Sequence, residues 1–206
     1  MMRSEIIVMG ASAGGLAALG TILGILPSNF ALPIVVVQHR STDSRGLVRE
    51  MRKYTALNVR EPNDKEPVRR ECLYLAPADY HLLLEPGEFR LSTEGPINYA
   101  RPSIDVLFQS AADAYGSRTV GVVLTGANSD GTEGAATIKH ARGIVVVQNP
   151  DEAQCPFMPR SVLNAVRVDH VLSLEEIGSY LVSLHIAANI RGASSGNCVN
   201  DPAKTA

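Results

Sequence analysis

VMGASAGGL, residues 8–16, joins a β-branched apolar run to a stretch in which Leu16, Leu19, Ile22, Leu23 and Leu26 recur at helical spacing up to Pro27. The pattern is strand, tight turn, helix. Such a turn serves one of two purposes: it cradles a phosphate on free backbone amides, or it lifts a side chain, here Ser12, out of the sheet edge. A dinucleotide loop needs a middle glycine where Ser12 stands and an acid at the end of the next strand, which instead ends in Gln38-His39-Arg40. No Gly-Lys-Ser or Gly-Lys-Thr closes the loop as a P-loop would. Gly10-Ala11-Ser12-Ala13-Gly14 does fit the nucleophile elbow, whose small neighbours permit the sharp turn.

Outward from this turn, residues 33–39 form a continuous apolar run of the kind buried on both faces of a parallel sheet, completing a βαβ unit. Helical spacing follows at 44–54, 103–115, 132–142 and 159–166, and strand-like runs at 119–124, 144–148 and 168–172. Short strands at 72–76, 80–85 and 88–92, separated by "PAD" and "PGE", predict an antiparallel excursion at the sheet edge. A last helix opens on the capping box Ser173-x-x-Glu176. The expected fold is α/β: a doubly wound, mostly parallel sheet with helices on both faces and that short antiparallel excursion. One domain is expected over 1–190, and a small, polar, aperiodic, disordered tail over 191–206.

Composition narrows the function classes. The 206 residues are 45 % hydrophobic and 19 % charged, ordinary for a globular chain, and a net charge of -2 without a basic block argues against nucleic acid as partner. Three dispersed cysteines without C-x-x-C spacing give neither a disulfide framework nor a zinc site, so a reduced, cytoplasmic setting is expected. The N-terminus does not read as a signal peptide and no apolar run reaches roughly 18 residues, so membrane insertion is not expected. His81, His140, His170 and His185 lack metal-ligand spacing and read as structural; neither a metal nor a cofactor is expected.

In a doubly wound sheet, ligands bind at the carboxyl ends of the strands, so the loops after residues 10, 39 and 125 come first. The second strand delivers His39 to the edge where Ser12 stands. A serine hydroxyl needs a base near neutral pH, and histidine is the usual one. A carboxylate to hold the imidazole is offered by Asp130 in "VVLTGANSDGTEGA", with Asp43, Asp79 and Glu133 as alternatives. Arg40, Arg45, Arg101 and Arg160 lie in loops that could rim such a site, or be ordinary solvated arginines.

Six ordered segments, "GASAGG", "VVVQHR", "YLAPADYHLLLE", "RPSIDVLF", "VVLTGANSDGTEG" and "QNPDEAQCPFMP", resemble the catalytic domain of the chemotaxis protein-glutamate methylesterases, the CheB type, over about residues 6–181. The resemblance implies a Ser12, His39, Asp130 triad that hydrolyses glutamate γ-methyl esters on chemoreceptor helices and releases methanol, with glutamine deamidation as a second activity. It also implies an oxyanion hole from backbone amides near the turn, including Ala13 and Ala127, and a pocket shaped in part by Met158. Two departures stand out: Ala13 follows Ser12 where the family often has Thr, and Thr125-Gly126-Ala127-Asn128 stands where the family often has Thr-Gly-Met-Gly. With the first strand beginning at Glu5, the receiver domain usual in chemotaxis members is not expected here. The expectation is an enzyme that is constitutively open or gated by a separate protein. Competing readings are a serine esterase or amidase of the same fold acting on another substrate, and a catalytically silent module binding an anion or a partner helix.

Overall fold

The computed structural model describes residues 4–39 and 46–194. Strand β1 (Ile6–Ala11) is buried along its whole length, and it alternates faces. Ile7, Met9 and Ala11 join one core with Leu19, Ile22 and Leu23 of helix α1 (Gly15–Ile25) and Ile177 and Leu181 of α6 (Leu174–Ser194). Ile6 and Val8 join a second core with Ile104, Leu107 and Phe108 of α3 (Ile104–Tyr115), Ala135 and Ile138 of α4 (Thr132–His140) and Val162 of α5 (Phe157–Ala165). Apolar residues on both sides of each strand therefore demand helices on both faces.

Among the described residues, seven strands form one sheet. Its order is β3 (Asn58–Arg60), β4 (Cys72–Leu75), β2 (Ile34–Gln38), β1, β7 (Thr119–Val123), β8 (Ile144–Gln148), β9 (His170–Leu172), and every pairing is parallel. The remaining strands, β5 (His81–Glu85) and β6 (Glu88–Ser92), pair antiparallel as a separate two-stranded sheet. The mostly parallel, doubly wound fold expected from the sequence is observed, with one rearrangement. Residues 72–75 belong to the parallel sheet and not to the antiparallel excursion, because all four are buried, a demand that a central strand meets and an edge hairpin does not. Strand β3 was not foreseen. Helix α2 is described over Leu47–Met51. The expected tail lies outside the described residues, apart from the end of α6.

At the start of α6, Ser173 and Glu176 form the reciprocal box: Ser173 N–H donates to Glu176 Oε2 at 2.8 Å, and Glu176 N–H donates to Ser173 Oγ at 3.2 Å. Ser173→Ala is expected to lower stability by about 1 kcal/mol, read as a small shift of the urea midpoint with unchanged slope. Among the described residues, no helix is long and apolar enough to cross a membrane.

The chain leaves β1 toward β2 on one side of the sheet and later fills β7 on the other. The carboxyl ends of the three neighbours β2, β1 and β7 thus meet at the point where strand order reverses.

Candidate active site

Ser12 follows the last residue of β1, and the turn is made by Gly14 at φ +80°, a left-handed conformation that favours glycine. Gly15 is required for a different reason. A Cβ there would collide with the Gln38 side chain and stand 2.7 Å from Ala11 Cβ. The turn is fixed by Gly15 N–H donating to Ser12 O at 2.9 Å and by Ser12 N–H donating to Thr125 O at 3.0 Å.

Parallel register sets the second residue. Ala11 lies opposite Gln38, and His39 N–H donates to Ala11 O at 2.9 Å, so His39 emerges beside Ser12. Gln38, nearly fully buried, holds the two ends together: its Nε2 donates to both Ser12 O and His39 O, each at 2.9 Å.

Asp130, fully buried, accepts four hydrogen bonds. Oδ2 receives His39 Nε2 at 2.8 Å and Ile104 N–H at 2.7 Å; Oδ1 receives Ser103 Oγ at 2.9 Å and Asp105 N–H at 3.0 Å. The carboxylate thus caps the N-terminus of α3, where free amides and the helix dipole favour an anion. Burial opposes ionisation and is the largest single influence, yet the His39 bond and the amides of Ile104 and Asp105 together hold the Asp130 carboxyl below its ordinary value. Because Asp130 is a carboxylate, it can only accept, so His39 carries its proton on Nε2 and presents Nδ1 as the acceptor.

Of the alternative acids, Asp79 is engaged by Arg101 at 3.2 Å and Glu133 is exposed, while Asp43 lies outside the described residues. Arg40 and Arg45 also lie outside them. Arg101 donates to Thr93 O and Glu94 O as well as to Asp79, and Arg160 reaches Asp151 at 3.8 Å. His81 supports the site from behind: its Nδ1 accepts Ser103 N–H at 3.2 Å. His185 accepts Ala31 N–H at 2.9 Å, far along the chain on α6.

Neither Ala13 N–H nor Ala127 N–H has an acceptor among the described residues. Met158, fully buried, closes the space beside Ser12: a Cβ on Gly126 would stand 2.7 Å from Met158 Cε and 3.0 Å from Ser12 Cβ. The segment carrying Met158 is pinned by Gly126 N–H donating to Cys155 O at 2.9 Å and Met158 N–H donating to Gly126 O at 3.0 Å. Thr125 ties the same loops, its Oγ1 donating to Ala13 O at 2.8 Å and accepting Cys155 N–H at 2.8 Å.

Sequence reasoning did not single out Gln38, Ser103, Asp105 or Thr125. Ser103 had a visible signal, a serine directly before an apolar helical pattern, but its second bond to Asp130 is a tertiary contact. Asp105 is buried next to Asp130 and accepts Gly134 N–H at 2.7 Å. Burial is the largest influence on it and, with the charge of Asp130, outweighs the Gly134 amide, so its carboxyl is pushed up to about 7. A folded-state value above the ordinary 3.8 means its stabilising contribution is complete below that value and is lost as pH rises through about 7. Asp105→Asn is therefore expected to gain thermal stability relative to wild type on going from pH 5 to pH 8; equal differences in melting temperature at the two pH values would contradict this.

Comparison with known proteins bears on the family and the fold. The profile of the CheB methylesterase family matches residues 7–181. A chain of Leptospira interrogans, named for protein-glutamate methylesterase and protein-glutamine glutaminase activity, is 45 % identical over 185 residues, which cover 89 % of this chain and 96 % of that one. The Thermotoga maritima protein-glutamate methylesterase/protein-glutamine glutaminase is 36 % identical over 188 residues, covering 89 % of this chain and 55 % of that protein. The crystal structure of the T. maritima CheB methylesterase catalytic domain superposes with a TM-score of 0.84 at 36 % identity, covering 89 % of this chain and all (100 %) of that one. On profile, relatives and fold together, this chain belongs to the CheB methylesterase family.

Proposed function

We propose that the protein is a serine hydrolase that removes methyl groups from glutamate γ-methyl esters of chemoreceptor-type proteins, with deamidation of glutamine as a second reaction. The observation that carries this reading is the His39–Asp130 pair at 2.8 Å beside a serine at the strand-to-helix turn that Gly14 closes, in a chain of the CheB methylesterase family.

In the reaction, Ser12 Oγ attacks the ester carbonyl while His39 Nδ1 takes the hydroxyl proton. Asp130 keeps the opposite ring nitrogen protonated and stabilises the imidazolium that forms. The carbonyl oxygen becomes an oxyanion, for which the amides of Ala13 and Ala127, without an acceptor among the described residues, supply donors on backbone that needs no reorganisation. The tetrahedral intermediate collapses by breaking the bond to methoxide, which takes the proton from His39 and leaves as methanol. Water, deprotonated by the same nitrogen, then attacks the acyl-serine, releasing the glutamate carboxylate and restoring Ser12. With a glutamine substrate the leaving group is ammonia, and the bookkeeping of protons is identical.

Residues 1–190 act in this reading as one catalytic domain, and the partner is a protein helix carrying methylated glutamates. A serine-directed fluorophosphonate probe tests the nucleophile. Covalent labelling of Ser12, lost in Ser12→Ala, is the expected outcome. An intact chain that takes up no label would leave a binding module as the account of this site.

A further inference from the structure

The acceptor nitrogen of His39 is not empty. Asn128 Nδ2 lies 3.4 Å from His39 Nδ1, whereas Ser12 Oγ has no hydrogen-bond partner among the described residues. The orientation of the Asn128 amide is fixed by a second contact, because Asp130 N–H donates to Asn128 Oδ1 at 3.3 Å. Turned the other way, the amide would set its NH2 group against the Asp130 N–H and its oxygen against the Nδ1 lone pair, two repulsive contacts in place of two hydrogen bonds. Asp130 thus faces both sides of the imidazole: directly through Oδ2 on Nε2, and through its own N–H, which aims Asn128 at Nδ1.

We propose that Asn128 is a positioning residue that restrains the base: in the free enzyme it occupies the one lone pair of His39 that can accept the Ser12 proton, and bound substrate displaces it. The proposal rests on the reading of Ser12 and His39 as nucleophile and base. Two observations make the restraint reversible. At 3.4 Å the bond is long, and it joins two neutral groups, so it is weak enough to be exchanged for Ser12 once a substrate carbonyl offers the amide another acceptor. Asn128 is also only half-buried, so an incoming ester can reach it.

The test compares wild type with Asn128→Ser and Asn128→Asp in the full chain. Serine still accepts the Asp130 N–H but is too short to reach Nδ1. Aspartate keeps that acceptor and replaces the donor by a carboxylate, which holds a proton on Nδ1 and blocks the base. Two readouts are used: the rate at which a fluorophosphonate labels Ser12, and the 15N resonances of the His39 ring, which a merely structural change would not move. Asn128→Ser is expected to label about three- to tenfold faster than wild type, the effect of removing one neutral hydrogen bond, with Nδ1 shifting toward a free acceptor nitrogen. Asn128→Asp is expected to label more slowly than wild type, and carries the test alone should the serine variant fold poorly. Wild-type labelling rates and an unmoved Nδ1 resonance in Asn128→Ser would overturn the restraint while leaving the nucleophile intact. Absence of Ser12 labelling in wild type and variant alike would overturn the nucleophile, and the restraint with it.

Discussion

Ser12→Ala is expected to reduce methanol release by on the order of 10⁴- to 10⁶-fold while leaving the melting temperature within a degree or two of wild type. The kinetic effect is large because the covalent route is lost altogether, and only the oxyanion donors and bound-state orientation remain. The effect on stability is small because the Ser12 hydroxyl has no hydrogen-bond partner among the described residues, and the turn is held by backbone groups that alanine retains. A small residue is already tolerated next door, at Ala13. Loss of activity accompanied by unfolding would therefore count against the account as firmly as retained activity.

Asp130→Asn is expected to be nearly as severe, about 10⁴-fold, but with a different signature. Four donors converge on the two carboxylate oxygens, and an amide can accept on only one of its two ends. If the NH2 group takes the Oδ1 position, it opposes the Asp105 N–H. If it takes the Oδ2 position, it opposes the Ile104 N–H, and His39 must reverse its tautomer to accept from it. That reversal places the proton on Nδ1, where Ser12 needs an empty lone pair. Either arrangement leaves a buried backbone donor unsatisfied, so stability should fall by about 3 kcal/mol, or roughly 6–12 °C in melting temperature. The loss should also depend on pH. The Asp130 carboxyl is held below its ordinary 3.8, so its contribution is present above that value and disappears as pH falls beneath it. The difference in melting temperature between wild type and Asp130→Asn should accordingly shrink toward acid, the opposite trend to that of Asp105→Asn.

Most of the architecture was legible because two-sided burial leaves a plain trace. The runs that became β1, β2, β7 and β8 are almost wholly apolar, and the helix-forming spacing between them fixes a right-handed parallel path. The errors have equally local causes. Strand β3 is three residues at the sheet edge, with only Val59 buried, and no periodicity can be read from so short a segment. Residues 72–75 stand next to two turn signals, which drew them into the hairpin that the following strands form. Their uninterrupted burial was the better guide.

The candidate site divides along the same line. Ser12 and His39 were readable because each lies at the end of a strand adjacent to the other, and strand register does the rest. Choosing Asp130 over Asp43, Asp79 or Glu133 from residue type alone was beyond the sequence. Its distinction is that the start of α3, some 25 residues earlier in the chain, crosses over to meet it with three donors. Gln38 carried no signal of its own, since a glutamine ending a buried strand gives no hint that it will clasp two backbone carbonyls. Asn128 was visible as a departure from the family's glycine, but its effect depends on which imidazole nitrogen faces it, a matter of tertiary geometry.

The most direct test of the central claim is methanol release from a methylated chemoreceptor cytoplasmic fragment, measured for the intact chain, Ser12→Ala and Asp130→Asn under the same conditions. Steady release by the intact chain that collapses in both variants, with Ser12→Ala retaining its melting temperature, is the result expected here. Undiminished release by Ser12→Ala, or none from an intact chain whose Ser12 is readily labelled, would contradict the assignment, the first by removing the nucleophile and the second by removing the substrate.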